Sequence, residues 1–247
     1  MRRIAAALAL ALAACSSDPA PAPKEAKSMN PIQNFRSSKI DAARLQVLVA
    51  DPAFASAIAL DVTGSPVGEV IGEALAQSPH AGRLKSLWLD QTGLTDAQAT
   101  ALGGSKAPLV ELYAGYNPLG PAGLKALLAT PAARLVVLRL TFTRIGDEGA
   151  ALLARHPRLD TLERLELTAT GLTDAGIRAL LGSTTLAHLA ALELGHNTAG
   201  PRALEPLLDP AHLPRLQTLD VSGLAPDPAL VEQVRAARPG LEVVTGG

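Results

Sequence analysis

The sequence predicts an α/β solenoid in which one strand–turn–helix unit repeats along the chain. Two observations support this fold class. A Leu-x-x-Leu-x-Leu pattern recurs at intervals of 25 to 27 residues, and every occurrence is followed by a turn and a helix-start signal. A supersecondary unit repeated at a fixed period is the signature of a solenoid. The leading residues of the six units are Leu84, Leu109, Leu135, Leu162, Leu189 and Leu216.

Each unit begins with a short strand whose fourth and sixth residues point into the core, because alternate side chains of a strand point to opposite faces. The fourth position holds Leu87, Leu112, Leu138, Leu165, Leu192 and Leu219. The ninth position carries hydroxyls and amides, which can satisfy backbone groups in the turn that leaves the sheet. These residues are Thr92, Asn117, Thr143, Thr170 and Asn197.

A helix follows the turn in each unit. The twelfth and thirteenth positions combine a capping residue with a carboxylate or a proline, which is typical of a helix start. The pairs are Thr95-Asp96, Gly120-Pro121, Gly146-Asp147, Thr173-Asp174, Gly200-Pro201 and Asp227-Pro228. The fifteenth position is glycine in three units, Gly123, Gly149 and Gly176, which predicts close packing of the helix against the strand.

The N-terminus carries an export signal. Met1-Arg2-Arg3 precedes an apolar run that ends at Ala14, and this arrangement is typical of a secretory signal peptide. Leu12-Ala13-Ala14-Cys15 resembles the lipobox of bacterial lipoproteins. The resemblance implies that Cys15 receives acyl chains such as palmitate and anchors the protein in the cell envelope. Ser16 is not the aspartate that favours inner-membrane retention in enterobacteria, so the outer membrane is favoured. An ordinary cleaved signal peptide is the alternative.

A proline- and alanine-rich segment follows the cysteine and predicts a flexible tether. Ser38 and Asp41 then form a capping-box pattern, which predicts a helix start. The helix would place Ile40, Val47 and Leu48 on one face and cover the first edge of the repeats. The predicted division is signal peptide 1–14, tether 15–37, capping helix 38–54 and repeat domain 55–247.

The stretch from Leu109 to Gly123 resembles the leucine-rich repeat family, in the subclass typified by ribonuclease inhibitor. The resemblance covers about residues 55–247 and implies a right-handed horseshoe, with parallel strands on the concave face and helices on the convex face. The spacing of about 4.8 Å between strands and about 10 Å between helices agrees with this curvature. A degenerate first unit and a final half-unit are marked by Ile58, Leu60 and Thr63 and by Leu241 and Val244.

Composition and motifs restrict the function classes. The aromatic content of 2% and the net charge of −1 exclude base-stacking modules and a phosphate-binding surface, so no nucleic-acid partner is expected. The single cysteine excludes an intramolecular disulfide. The five histidines lack acidic or thiol partners at ligand spacing, and Asp96, Asp147 and Asp174 are explained as helix-start carboxylates rather than calcium ligands. No known catalytic motif is present. We expect no catalytic activity, no cofactor and no metal.

The concave face is the predicted interaction surface. The predicted partner-binding residues are Trp88, Tyr113, Tyr116, Arg139, Phe142, Arg164, Glu166, Glu193 and Asp220. They include four of the six aromatic residues, and their charge changes from basic to acidic along the face. Because tryptophan, tyrosine and arginine are frequent binding anchors, a membrane-anchored interaction module for a protein, a peptide or a glycan is the preferred hypothesis.

Two alternatives stay open at this point. Trp88 and Tyr113 could instead shield the N-terminal edge, while the charges form a solvated face with cross-strand pairs such as Arg139–Glu166. The whole protein could also be a structural or self-associating envelope scaffold without a dedicated ligand, since solenoids have open terminal strands.

Overall fold

The computed structural model describes residues 31–130 and 134–246. In these ranges nine short strands form one parallel sheet, in which the strand order follows the chain. The strands are β1 (Ile32–Asn34), β2 (Ala59–Asp61), β3 (Ser86–Trp88), β4 (Glu111–Tyr113), β5 (Val137–Arg139), β6 (Arg164–Glu166), β7 (Ala191–Glu193), β8 (Thr218–Asp220) and β9 (Glu242–Val244). Most connections between consecutive strands contain an α-helix. The fold is therefore an α/β solenoid, as predicted.

Helices occupy the connections between strands. The α-helices are α1 (Ala42–Ala50), α2 (Ile71–Gln77), α3 (Asp96–Gly103), α4 (Pro121–Leu128), α5 (Gly146–Arg155), α6 (Asp174–Leu181) and α7 (Pro228–Ala237). Single turns of 3₁₀ helix lie at Pro52–Ser56, Ala81–Arg83, Pro157–Leu159 and Glu205–Leu208. Within the part of the chain that the structure describes, no helix is both long and apolar enough to cross a bilayer.

The core is a leucine stack that runs the length of the solenoid. Every strand pairs with the next in constant register, so that Leu87, Leu112 and Leu138 lie opposite one another. These side chains are 2% exposed or less. Each fully buried leucine contributes about 2 kcal/mol of hydrophobic stabilisation, and the stack therefore holds neighbouring units together as well as closing each unit.

The N-terminal end of the sheet begins earlier than the sequence predicts. β1 pairs with β2 and places Gln33, which is buried, opposite Leu60. The predicted tether is therefore too long, because residues 31–37 belong to the folded domain. The predicted signal peptide and the remainder of the predicted tether, including Cys15, lie outside the described residues.

Helix α1 begins later than the predicted capping box implies. Its N-cap is Asp41, whose carboxylate accepts a hydrogen bond from the Arg44 backbone N–H at 2.8 Å. The helix buries Leu45 and Val49, whereas Val47 is 72% exposed. The predicted start at Ser38 and the predicted burial of Val47 are wrong. With Asp41 as the cap, the helix begins at Ala42. Leu45 and Val49 are about one turn apart on the same face, and that face packs on the core.

The first unit keeps the register of the other units, since Leu60 lies opposite Leu87. Of the residues that mark this unit in the sequence, Leu60 is buried at the fourth position, Ile58 is 38% exposed, and Thr63 is at the seventh position. The ninth position is Ser65, which is buried. Its hydroxyl oxygen accepts a hydrogen bond from the Ile40 N–H at 3.1 Å. This hydrogen bond joins the capping segment to the turn of the first unit. It is made by Ser65 at the ninth position, which is threonine or asparagine in five of the other units.

The final half-unit also keeps this register. Val243 lies opposite Leu219 and is buried, whereas Val244, which marks the half-unit in the sequence, is 36% exposed. Val243 therefore continues the leucine stack.

The unit that starts at Leu189 replaces the predicted α-helix with the 3₁₀ turn Glu205–Leu208. Pro206 explains the difference, since proline has no N–H to donate to the carbonyl four residues earlier, at Arg202. That carbonyl accepts a hydrogen bond from the Glu205 N–H at 3.2 Å and another from Arg178 Nη1 at 2.9 Å. A tighter backbone bond and a side chain from the preceding unit thus take the place of the helical hydrogen bond.

Candidate functional site

Two stacked aromatic rings lie at the N-terminal half of the strand face. Trp88 and Tyr113 occupy the fifth position of adjacent units and lie opposite each other in the sheet. Their ring centroids are 5.4 Å apart and the ring planes differ by 10°. Because the side chains leave neighbouring strands in parallel, each ring covers one face of the other. On the outer sides of the pair, the same strand position carries Asp61 next to Trp88 and Arg139 next to Tyr113.

A second stacked pair lies at the rim of the same face. Tyr116 and Phe142 have ring centroids 4.7 Å apart and are 41% and 50% exposed. Both residues adopt a left-handed backbone conformation with φ of 55°, which is uncommon for bulky residues. The same conformation occurs at the eighth position of three other units, at Gln91, Ala169 and His196. The turn imposes the conformation, and it projects these two aromatic rings outward.

The charged residues of the face form one continuous network. Arg139 lies between Asp90, at 3.3 Å, and Glu166, at 3.2 Å. Arg164 Nε donates to Glu166 Oε1 at 2.7 Å, and its guanidinium also pairs with Glu193. Glu166 is 8% exposed and contacts both arginines. The order of charges along the face stays as the sequence has it, but the arginines are paired with Glu166 and Glu193, and the cross-strand pair Arg139–Glu166 named in the alternative interpretation is present.

Burial and neighbouring charge shift the acid–base properties of this network. Burial raises the pKa of the Asp90 carboxyl, against the opposing effects of the Arg139 guanidinium and a backbone N–H from Gly115. Burial and the nearby Glu166 carboxylate also raise the pKa of Glu193, while Arg164 opposes the shift. The carboxylates of this face are thus partly desolvated groups that depend on their arginine partners.

Asp90 is the functional candidate that the sequence reasoning missed. It occupies the seventh position, where the other units carry small or hydroxyl residues. Those residues are Thr63, Gly115, Thr141, Thr168, Gly195 and Ser222. The sequence signal that could have identified Asp90 is its carboxylate, at a position where the other units carry none. At the other end of the face, Asp220 lies outside the network, since its Oδ1 accepts a hydrogen bond from the Ser222 N–H at 2.8 Å.

An asparagine ladder holds the turns that carry the site. Asn117 Oδ1 accepts hydrogen bonds from three backbone N–H groups of the preceding unit, and Nδ2 donates to three carbonyls. The donors are Thr92, Gly93 and Leu94, and the acceptors are Leu89, Ala114 and Gly115. Asn197 repeats the arrangement with two backbone donors, Thr170 and Leu172, and three carbonyl acceptors. The predicted role of the ninth position is confirmed.

The helix-start aspartates act on the neighbouring unit rather than on their own helix. Asp147 Oδ1 accepts hydrogen bonds from the N–H groups of Thr173, at 2.8 Å, and Gly176, at 3.0 Å. Although burial opposes it, these bonds and one from the Thr173 hydroxyl lower the pKa of Asp147. Asp96 and Asp174 accept from Gly120 and Gly200 in the same way.

Two of the three fifteenth-position glycines, Gly123 and Gly176, make room for these aspartates. A Cβ on Gly176 would lie 2.3 Å from Asp147 Oδ1, so the glycine permits close packing against the preceding unit and not, as predicted, against the strand. Among the residues that the structure describes, no three His, Cys, Asp or Glu side chains are grouped so that they could hold a metal ion.

Comparison with known proteins identifies the repeat. A family model described as Leucine Rich repeat matches residues 135–154, which span β5 and most of α5. These residues share their register with the other units, and the fold is a leucine-rich repeat solenoid. No curated protein sequence matches the chain.

Two solved structures are similar to the chain. One is the leucine-rich repeat ectodomain of the Arabidopsis receptor kinase HAESA, solved with an N-terminally extended IDA peptide hormone, with 22% identity and a TM-score of 0.45 over 73% of this chain and 27% of that one. The other is a leucine-rich repeat protein of Leptospira interrogans, with 21% identity and a TM-score of 0.43 over 69% and 44%. The chain spans less than half the length of either.

Proposed function

We propose that this chain is a lipid-anchored protein of the bacterial cell envelope that binds a protein partner on its strand face and catalyses no reaction. The observation that carries the proposal is the pair of aromatic stacks, Trp88–Tyr113 and Tyr116–Phe142. The leucine core is complete without them. Large aromatic surface that the fold does not need for packing is the usual property of an interaction site.

The geometry of the stacks favours a polypeptide over a glycan. A sugar ring binds by lying flat on an open aromatic face, whereas the inner faces of Trp88 and Tyr113 cover each other and charged residues, Asp61 and Arg139, occupy the next strand positions on the two outer sides. Ring edges, together with the arginine side chains beside them, suit the mixed apolar and polar groups of a peptide. The fixed ion-pair network keeps Arg139 and Arg164 in place before binding, which lowers the ordering cost of association.

The lipid anchor rests on the sequence. The Leu12–Cys15 tetrapeptide, preceded by a basic start and an apolar run, supports acylation at Cys15, and two or three acyl chains suffice for stable membrane attachment. Ser16 supports the outer membrane as the destination. The segment between Cys15 and β1 would then hold the solenoid away from the bilayer, with its strand face open to a partner.

Site-specific photo-crosslinking in intact cells tests the proposal. A photoreactive amino acid at Ser86 or Thr218, both half-buried on the strand face, is expected to capture a discrete partner. The same probe at Lys106, which is exposed beyond α3, should not. Trp88→Ala with Tyr113→Ala should reduce the captured product at least tenfold.

The matched control is Val47→Ala, which removes an exposed apolar side chain from α1 and should leave capture unchanged. Capture of a second copy of this chain alone would support the scaffold function instead. Equal capture from the strand face and from Lys106 would contradict a dedicated binding surface.

A further inference from the structure

A polar cleft of about 420 Å³ opens at the N-terminal end of the strand face. It lies where the turns of the first units rise above the sheet, and the segment after β1 closes one side. Its lining residues are Arg36, Lys39, Thr63, Gly64, Asp90, Gln91, Tyr116 and Arg139. Three cationic side chains and one carboxylate therefore border the cleft.

The carboxylates at the cleft already have partners. Asp90 Oδ1 accepts a hydrogen bond from the Gly115 N–H at 2.6 Å, and Oδ2 faces Arg139. Asp61, on the neighbouring strand, accepts from the Thr63 N–H at 3.0 Å. Arg139 is shared between Asp90 and Glu166. Asp90, Asp61 and Arg139 therefore already have partners, and none of them is free to bind an incoming charged ligand.

Two cations keep their binding capacity. The Arg36 side chain is 61% exposed, and its closest acidic contact, Nε to Asp61 Oδ2, is 3.9 Å, beyond hydrogen-bond distance. Lys39 is exposed and forms no ion pair within the described ranges. An exposed cation without a close partner can form a charge-assisted hydrogen bond with an incoming anion.

The backbone holds Lys39 at the cleft. Its N–H donates to the Phe35 carbonyl at 2.7 Å, and its φ of +49° marks a tight turn. The next residue, Ile40, is buried and bonded to Ser65. A Cβ on Gly64 would lie 3.8 Å from Lys39 Cε, so the lysine side chain passes beside the first turn at van der Waals distance.

We propose that this cleft binds a carboxylate side chain of an acidic peptide segment, with Arg36 and Lys39 as its ligands. The inference rests on the proposed protein-binding function and adds the chemistry of the partner. Tyr116 lines both the cleft and the exposed Tyr116–Phe142 stack. An apolar residue next to the acidic one can therefore cover the stack while the carboxylate enters the cleft.

Titration of the full chain in detergent with two short probes tests the proposal. The probes are N-acetyl-Glu-Phe-amide and its Gln-Phe analogue, followed through the backbone amide signals of Gly64 and Gln91 and the fluorescence of Trp88, the single tryptophan. We expect saturable binding of the Glu probe and at least tenfold weaker binding of the Gln probe. Equal affinity for both probes would overturn the proposal without requiring any variant.

Variants locate the site. Arg36→Gln with Lys39→Gln should weaken binding of the Glu probe at least tenfold. Lys106→Gln with Lys125→Gln removes the same charge from exposed positions in and near the helices and should change binding less than twofold. Equal losses in the two double variants would show only a general charge effect and overturn the site.

Two further outcomes separate this inference from others. If inorganic phosphate binds as tightly as the Glu probe, the cleft is a general anion site and the acidic-peptide proposal fails. If the Glu probe does not bind while photo-crosslinking from Ser86 still captures a partner, the ligand chemistry is wrong and the proposed function stands.

Discussion

The Arg139 guanidinium reaches past a whole strand to Asp90, with Nη1 3.3 Å from Oδ2. The strand between them is β4, and the residue beneath the contact is Gly115, whose N–H donates to Asp90 Oδ1 at 2.6 Å. A Cβ at Gly115 would lie 3.0 Å from that oxygen and 2.9 Å from the Thr141 carbonyl oxygen. The ion pair spans β4 and therefore depends on the absence of a side chain at Gly115.

Gly115→Ala should destabilise the domain by about 1–3 kcal/mol, because the added methyl group overpacks a buried position and displaces Asp90. Urea and thermal unfolding would measure the loss. Gly195→Ala is the matched control, since Gly195 occupies the same position and its Cβ would lie 3.9 Å from the nearest carboxylate oxygen, Asp220 Oδ1. The same loss in both variants would show that Asp90 plays no part.

Asn117→Leu should cost about 3 kcal/mol or more, because it leaves several buried backbone groups of the preceding turn without a partner. Thr143→Val removes one hydrogen bond at the same position of the next unit, from Oγ1 to the Leu140 carbonyl at 2.6 Å. It should cost about 1 kcal/mol. Free energies of unfolding from urea titrations compare the two variants. A smaller loss for Asn117→Leu than for Thr143→Val would contradict the ladder.

Asp147 should give the solenoid an acid-sensitive contact between units. Its folded-state pKa is lowered, so its contribution is present above the ordinary aspartate pKa and is lost as pH falls through the folded pKa. Asp147→Ala should lower stability by about 1 kcal/mol at pH 7, and the gap to the wild type should narrow below about pH 4. Thermal melts at pH 7 and pH 3 check this.

The control for that titration is Glu148→Ala, which removes an exposed carboxylate one residue later in the same helix. Its effect on the melting temperature should be small at both pH values. A gap for Asp147→Ala that stays constant with pH would show that the contact does not depend on ionisation.

Cys15→Ala should abolish acylation and leave unprocessed or released protein, because the lipoprotein pathway requires that thiol. Membrane fractionation and mass spectrometry of the mature N-terminus measure the outcome. Ser16→Ala leaves the cysteine intact and should still yield acylated, membrane-bound protein. A processed and membrane-bound Cys15→Ala variant would show that the lipobox interpretation is wrong.

The repeat could be predicted from the sequence because its determinants are local. The fourth position is leucine in all six units, and the ninth is asparagine or threonine in five of them with similar surroundings, so the sequence pattern indicates the role of both positions. The terminal units lack this constraint. β1 carries Gln33 where the other units carry leucine or valine, and no pattern distinguishes that strand from the proline-rich segment before it.

The candidate site was predicted less completely than the fold because its contacts skip units. The Trp88–Tyr113 stack joins equal positions of adjacent strands, which the register predicts. The Asp90–Arg139 pair joins different positions of strands two apart, and it requires both a long side chain and a glycine between them. The cleft at Lys39 likewise depends on the turn that follows β1. The sequence predicted a flexible tether up to residue 37 and therefore no folded structure there.

The last prediction concerns the C-terminal end of the solenoid, where the Arg238 side chain bonds several backbone carbonyls. Its guanidinium donates to four carbonyls around the 3₁₀ turn, those of Leu207, Asp209, His212 and Leu213. Arg238→Gln should destabilise the domain by about 2–3 kcal/mol, because several partly buried carbonyls lose their donors together. Arg238→Lys should recover only part of this, since an ammonium cannot reproduce the planar fork. Arg235→Gln, which removes one carbonyl contact to Val243 and an exposed ion pair with Glu232, is the control, and urea unfolding measures all three. If Arg235→Gln costs as much as Arg238→Gln, the carbonyl clamp does not hold this end of the solenoid together.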